Sequence, residues 1–518
     1  MGFVPAKGKE STKSMMSEGN QQEAGSFSAA RAASTTSEVE LDRAKSNKSR
    51  TQGKASPQKQ QPEEETPKVP VGPGPYFYLS GSNGAELVSS YCQGRGWQRI
   101  YDNRREDYAL KWCEIKNPET YLHFKEGEQL LYQIPNNRVL TTKIELLCCL
   151  REQERRMKKS RRSSKFKFLK MEEFFPESFR LDIEEERNNF LKLCREKEIW
   201  ICKPSCSNQG KGIFLLRSPA ALNSLQAKLH STEKHPPKRK LLCKAPPARI
   251  VQRYLGSPLL LEGKKFDVHS YLLIACTAPF LVFFAQGYAR LTCGHYDLVS
   301  DDLTVHLTNQ CMQKKHPLYR QLKEETVWRM EHLDSYLNEK FRETSGLPAD
   351  WVFTVFTERM KQIMLQCILA AQHKLARRLG YFDLLGCDFL VDENFKVWLL
   401  EMNANPALHT NCKVLRHIIP AVVYECLGKF LGVFQKRLRG HKVLPLETLR
   451  HFVLLYHKDA GALGQKSSSK LRVLHTLVAS SQAVRHARGS ADGRVALPLL
   501  TLQCREKARL GQALSNLF

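Results

Sequence analysis

The segment Cys387–Pro406, CDFLVDENFKVWLLEMNANP, carries three side chains of the kind that bind a hard metal ion: Asp388, Glu401 and Asn403. It reads as an apolar strand, a tight turn and a second apolar strand. Strand side chains alternate faces, so Glu401 and Asn403, two apart, point the same way. With Glu393-Asn394 as a two-residue turn, Asp388 falls opposite Leu399, one diagonal step from Glu401 on that face. Two carboxylates meeting in so apolar a setting are costly unless a cation compensates them. Magnesium suits the set, because it takes a few protein oxygens and fills its octahedron with water and phosphate oxygens. The competing reading is a solvated hairpin end with stray acids.

Three further motifs hold groups suited to phosphate and carboxylate chemistry. In Trp200–Pro204, followed by Ser205–Ile213, the lysine Lys203 sits on a strand before a Gly/Ser-rich turn containing Gln209-Gly210. Such a turn offers a cation and free backbone N–H groups to phosphates. It is not a Walker loop, since no Lys-Ser/Thr pair opens a helix. In Val251–Leu255 a strand with polar edge and apolar wall is shaped for a flat heterocycle, and Lys265 and Asp267 of Lys265–His269 share one strand face. Arg290, in Tyr288-Ala289-Arg290, is suited to clamp an oxyanion with both arms. Thr308 and Asn309, in His306–Asn309, add hydrogen bonds. Each motif alone also reads as an ordinary turn or strand face. Their order carries the information.

The elements that must position these groups follow from composition and patterning. A chain of 518 residues with 42% hydrophobic content exceeds one ordinary domain and allows a large core. Its formal charge is +27, and residues 1–75 hold 11 Lys/Arg against 9 Asp/Glu, so the excess lies beyond them. Acidic partners are expected. Nucleic acid is disfavoured, because the basic runs lack interleaved aromatics or a recognisable module. No apolar run reaches about 18 residues and the N-terminus has no hydrophobic leader, so no membrane partner is expected. Met1-Gly2 is discounted as a myristoylation site because Ala6 stands where Ser or Thr is wanted. The 16 cysteines sit mostly singly in apolar stretches, the pattern of reduced core thiols in the cytoplasm.

Residues 1–75 read as a disordered tail, with too little apolar surface to fold. A smaller α/β domain is expected over 76–179, a central domain with the phosphate turn over 180–262, and a third domain with the metal hairpin over 263–440. The dense basic run Arg151–Lys170 reads either as a solvated face or as a docking surface for an acidic partner. Helical spacing marks Arg180–Glu196 and Ile418–Leu438. Phe356, Met360, Ile363, Cys367, Ile368, Ala371, Leu375 and Leu379 form an apolar stripe, with Gly380 as its expected C-cap. Strands are expected at Glu198–Cys202, Arg249–Leu255, Lys265–Cys276 and Phe280–Leu291, and a basic, partly ordered tail over 441–518.

The set WICKP…QGKGI, VQRYL…KKFDV, HLTNQ and CDFLVDENFKVWLLEMNANP closely resembles the tubulin tyrosine ligase-like family of ATP-grasp amide ligases. The resemblance runs from about Phe175 to about Arg439, and weakly back to Tyr76. HLTNQCMQKK and EMNANPALHTNC look most like its protein polyglycylase branch, the members that elongate glycine chains. An ATP-grasp-type α/β (α+β) fold is implied. Carried over residue by residue, the resemblance assigns ATP to Lys203, Gln209, Gly210, Gln252, Arg253, Tyr254, Leu255, Lys265 and Asp267. It assigns the acceptor carboxylate, the γ-phosphate or the incoming amino acid to His269, Arg290, Thr308 and Asn309, and magnesium to Asp388, Glu401 and Asn403. Lys203, Arg290 and Glu401 would carry catalysis.

Two positions depart from the family's usual pattern. His269 stands where an arginine is common, two residues after the Lys-Phe-Asp aspartate, and Gln209 replaces another arginine. A histidine is shorter than arginine and not permanently charged. Losing a transition-state cation costs on the order of 3 kcal/mol, about a hundredfold in rate. The resemblance therefore implies an ATP- and magnesium-dependent ligase, monomeric, joining free glycine to glutamate-rich tails of tubulin or other acidic proteins. Cytoplasmic, cytoskeletal and ciliary or axonemal location would follow. The alternatives are an inactive relative that binds acidic tails or microtubules, and a polyglutamylase of the same fold.

Overall fold

The computed structural model describes residues 74–159, 168–194, 198–207, 209–218, 220–225, 227, 248–443 and 451–458. The sequence features at 1–73, 160–167, 231–244 and 459–518 lie outside the described residues. Four short strands come first: β1 (Tyr76–Ser80), β2 (Gln98–Ile100), β3 (Tyr108–Cys113) and β4 (Leu130–Tyr132). Four more build a small sheet: β5 (Ser178–Arg180), β6 (Trp200–Pro204), β7 (Phe214–Leu216) and β8 (Arg249–Arg253). The remainder are β9 (Leu260–Leu261), β10 (Lys264–Thr277), β11 (Phe280–Leu291), β12 (Val327–Arg329), β13 (Tyr381–Val391), β14 (Val397–Ala404) and β15 (Phe452–Lys458).

The larger sheet runs β12-β11-β10-β13-β4-β3-β1-β2, with β14 also on β13, β15 on β11 and β9 on β10. Its central strands are buried almost throughout, with apolar runs in place of alternation. That pattern belongs to strands covered on both faces. One cover is the helices Lys143–Lys159, Met330–Ser345 and Thr357–Ala371, through Leu147, Leu150, Leu337, Met360 and Ile363. The other is the helix Lys413–Leu438, through Ile419, Val423, Cys426 and Phe430, joined by Val88 and Cys92. Lys413–Leu438 is long and apolar enough to cross a membrane, but most of its apolar stretch is buried inside the protein.

Several expectations change here. The strands of 76–179 do not close a sheet of their own. Leu131 and Tyr132 of β4 pair in parallel with Tyr381 and Phe382 of β13, so these strands extend the large sheet. The expected boundary at 179–180 also cuts through β5, which belongs to the small sheet with β8. The apolar stripe ends its helix at Ala371, and Gln372 occupies the cap. Gly380 has another task. It sits at φ +112° directly before β13, where a Cβ would overlap the carbonyl of Gln129, so glycine lets β4 approach. Phe452–Lys458, inside the stretch read as a tail, adds a strand to β11.

The hairpin that carries Asp388 and Glu401 also differs from the expected two-residue turn. Val391 pairs with Val397, leaving Asp392–Lys396 as a five-residue connection. Asp392 organises it: Oδ1 accepts the N–H groups of Asn394 and Lys396, both at 3.0 Å, and Oδ2 accepts Trp398 Nε1 at 2.8 Å. Phe395 supplies the left-handed residue, φ +59°. Phe389 then pairs with Leu399. A bulge follows, and Asp388 meets Glu401 directly across the ladder.

Candidate active site

Between the small sheet and the large one lies an open cleft of about 850 Å³, the solvent at its mouth included. Its walls include Lys203, Gln209, Gly210, Gln252, Arg253, Tyr254, Leu255, Lys265, Asp267, Arg290, Thr308, Asn309, Asp388 and Glu401. These residues span nearly 200 positions of sequence. Of the expected site residues, His269 and Asn403 are not on this wall. His269 sits behind Asp388, and Asn403 bridges toward the two carboxylates from the end of β14.

The small sheet delivers one wall of the cleft. β6 carries Lys203, which is buried and donates to Gln252 Oε1 at 2.7 Å. Gln252 in turn donates from Nε2 to Ser178 Oγ at 2.9 Å, so its amide is spent on holding the lysine. The turn after β6 is left-handed at Gln209, Gly210 and Gly212. Gly210 packs closely on Asn309, where a Cβ would lie 3.1 Å from Nδ2, which ties this turn to the His306–Asn309 loop. Arg253 borders the cleft while its guanidinium is engaged by Glu177 and Glu198. Tyr254 accepts from Lys265 Nζ at 2.9 Å, and its hydroxyl lies 2.7 Å from His306 Nδ1.

The large sheet delivers the charged cluster. Register sets Asp267 opposite Arg290, and His269 opposite both Tyr288 and Asp388. Arg290 forks onto Asp267, Nε to Oδ1 at 2.7 Å and NH2 to Oδ2 at 2.5 Å, and reaches Asp388 Oδ2 at 2.9 Å. Thr308 Oγ1 donates to Asp267 Oδ2 at 2.6 Å. His269 Nδ1 lies 2.6 Å from Asp388 Oδ1. Glu401 pairs with Lys143, Nζ to Oε2 at 2.8 Å.

Burial and neighbours set the protonation of these groups. Burial pulls Lys203 down to about 8 against the opposing pull of Glu401, and Lys143 lowers it further. Burial, and then the charge of Lys203, bring Lys265 to about 7. Burial raises Asp267 despite Arg290. Burial would also raise Asp388, but Arg290 and His269 outweigh it and hold the carboxyl well below the usual range. Lys143 does the same for Glu401.

The donor set fits magnesium. Asp388 and Glu401 face each other, and Asn403 Nδ2 stands 3.0 Å from Glu401 Oε1 and 3.5 Å from Asp388 Oδ2. Rotating that amide by half a turn presents its oxygen to the same point, and which atom is which follows from the hydrogen bonds alone. Among the described residues no group of three or more His, Cys, Asp or Glu side chains gathers. A site of two carboxylates and an amide suits an ion that keeps positions open for phosphate oxygens.

Sequence reasoning did not single out Lys143 or His306 as site residues. His306 lies within the motif around Thr308, but nothing marks it as a partner of the Tyr254 hydroxyl. Lys143 lies in an unremarkable Thr-Thr-Lys stretch 60 positions before Lys203. Only its place at the head of the helix Lys143–Lys159 brings it to Glu401 and to the carbonyl of Ser207, 3.2 Å away.

The chain is similar in sequence to several known proteins. The protein polyglycylase TTLL10 of Rattus norvegicus is 57% identical over 423 residues, covering 81% of this chain and 62% of the rat protein. The inactive polyglycylase TTLL10 of Homo sapiens is 55% identical over 416 residues, covering 75% of this chain and 62% of the human protein. Tubulin glycylase 3A of Drosophila melanogaster is 29% identical over 267 residues, 51% of this chain and 24% of the fly protein. The chain thus spans less than two thirds of the length of the rat and human relatives. The Tubulin-tyrosine ligase family matches residues 122–437, a range that holds every residue lining the cleft and also Lys143 and Asn403. On that match, and with the mixed α/β architecture and assembled cleft beneath it, the chain belongs to the tubulin-tyrosine ligase family.

Proposed function

We propose that this chain is an ATP-dependent protein–glycine ligase. It adds glycine to glutamate side chains, or to glycine chains already attached there, on acidic protein tails such as those of tubulin. The observation that carries this reading is the convergence of Lys203, Lys265, Arg290 and the facing pair Asp388 and Glu401 on one cleft. The names of the rat and fly relatives favour glycine over other donors. The positive charge of the chain favours a glutamate-rich acceptor, whose encounter rate it would raise at moderate salt. The cytoskeleton, and the cilium or axoneme in particular, is the corresponding location.

In this reading Lys203 and Lys265 neutralise the phosphates of ATP, and the turn at Gln209-Gly210 offers them backbone N–H groups. Magnesium held by Asp388, Glu401 and Asn403 would supply further neutralisation of phosphate oxygens when bound. Arg290, steered by Asp267, and Thr308 orient the acceptor carboxylate. An oxygen of that carboxylate attacks the γ-phosphorus, and the bond from this phosphorus to the β–γ bridging oxygen breaks as ADP leaves. The amine of glycine then attacks the acyl carbon. A carbon–nitrogen bond forms, the carbon–oxygen bond to phosphate breaks, and the proton given up by the nitrogen leaves with the phosphate. Alignment and charge neutralisation provide the rate, with no covalent enzyme intermediate.

A second reading is an acidic-tail binder without catalysis. It is favoured by His269 and Gln209 in place of arginines, and by 55% identity to a relative named inactive. One experiment separates the two. A glutamate-rich tail peptide is incubated with the protein, ATP, magnesium and glycine, glutamate or tyrosine in turn, and analysed by mass spectrometry. Glycine-dependent mass increments support the ligase; peptide binding without any increment supports the binder.

A further inference from the structure

His269, unlike the expected site residues on the cleft wall, sits behind Asp388, and its surroundings explain why. Lys265, Asp267 and His269 share one face of β10, but β13 runs alongside and places Asp388 beside the imidazole. The ring is 3% exposed. It packs edge-on to Tyr271 with centroids 5.1 Å apart and lies 5.5 Å from Tyr288. Two glycines make the space. A Cβ at Gly386 would overlap the ring at Cε1, and a Cβ at Gly287 would overlap the carbonyl oxygen of His269. Among the described residues Nε2 has no hydrogen-bond partner, so the only polar contact of the ring is Nδ1 on Asp388 Oδ1 at 2.6 Å.

We infer that His269 is a positioning residue for Asp388. It fixes one carboxylate oxygen from behind, so that the other is presented forward beside Arg290 and Glu401. This rests on the reading of Asp388 as a magnesium ligand, and it adds a role for a residue that touches neither nucleotide nor acceptor. The physical basis is orientation. A carboxylate with both oxygens anchored keeps its plane; Arg290 at 2.9 Å and Asn403 at 3.5 Å both act on Oδ2, and His269 is what anchors Oδ1. Partners that orient metal ligands in this way typically account for 10- to 100-fold in metal affinity, so about tenfold is expected here.

The test compares His269→Phe, which keeps a ring in the pocket and removes the donor, with His269→Asn, which keeps a donor near the Nδ1 position in a smaller side chain. The readout is binding of a fluorescent non-hydrolysable ATP analogue to the full chain, titrated with magnesium, with the melting temperature followed in parallel. The expected result is a magnesium requirement raised about tenfold in His269→Phe and within about twofold of the parent in His269→Asn, with His269→Phe melting close to the parent. Asp388→Asn serves as reference. If Asp388→Asn raises the magnesium requirement and a folded His269→Phe does not, the positioning role is wrong while the metal site stands. If Asp388→Asn leaves the requirement unchanged, both the metal assignment and the role of His269 fall. Should His269→Phe fail to fold, the His269→Asn variant decides: a requirement raised as far as in Asp388→Asn overturns the inference.

Discussion

Lys143 Nζ lies 2.8 Å from Glu401 Oε2, joining the first residue of a covering helix to the second strand of the hairpin that carries Asp388. The same ammonium donates to the carbonyl of Ser207, in the turn after β6, at 3.2 Å. One side chain therefore spans the two sheets at the point where a triphosphate and its cation would sit. The contact also explains how Glu401 stays ionised despite the burial that opposes it.

Lys143→Met should leave Glu401 without its cation and the turn without its tether. The lysine is 8% exposed and the carboxylate 25%, so the loss is that of a partly screened charge-assisted hydrogen bond, about 2 kcal/mol in urea unfolding. Ligation should fall more than tenfold, because both sides of the cleft lose alignment together. Unchanged glycine incorporation in a folded Lys143→Met protein would remove this lysine from the site.

Arg290→Lys keeps a positive charge and loses the fork onto Asp267 that Nε and NH2 make at 2.7 and 2.5 Å. We expect about a hundredfold loss of ligation rate, on the order of 3 kcal/mol in the transition state, with a smaller change in peptide binding. Asp267→Asn paired with Arg290→Met should cost less stability than the sum of the two single changes. Arg290→Met alone leaves the buried Asp267 without its cation, whereas the double variant removes that carboxylate as well. Initial rates and urea melts measure the two effects separately. Additive stability losses would mean that the two side chains do not act as a unit.

What the sequence reveals of this molecule depends on distance along the chain. Trp200–Pro204, Lys264–Thr277, Phe280–Leu291 and the paired strands around Asp388 and Glu401 are readable because apolar runs, turns and breakers are local signals. The grouping of Lys203, Lys265, Arg290 and Asp388 in one cleft comes from the order of motifs and from the family resemblance. No local pattern dictates it. Lys143 stays invisible because its partner is more than 250 positions away. The true register of the hairpin escapes for a subtler reason: Asp392 closes a five-residue turn with its own side chain, and a bulge then sets Asp388 opposite Glu401, where a two-residue turn would set it opposite Leu399. The merger of β4 with β13 depends on Gly380, which looks like a helix cap until the neighbouring carbonyl of Gln129 is seen.

The two buried lysines make the nucleotide-free protein and its complex respond oppositely to pH. Burial lowers Lys203 to about 8 and Lys265 to about 7, from the ordinary lysine value of 10.5. Between about pH 7 and 10.5 the unfolded chain therefore holds more protons than the folded one, so stability rises with pH across that window. Below about pH 7 both lysines are charged in both states, and the full cost of burying them is present. Phosphates favour the charged forms, so binding takes up protons and nucleotide affinity should fall as pH rises from about 7 to about 9. Melting temperatures of the free protein and titrations with an ATP analogue over the same range test both slopes. Lys265→Met should flatten the lower part of each curve and Lys203→Met the upper part. An affinity that climbs with pH alongside stability would show that these lysines do not face the phosphates, because neutral amines cannot improve the binding of a polyanion.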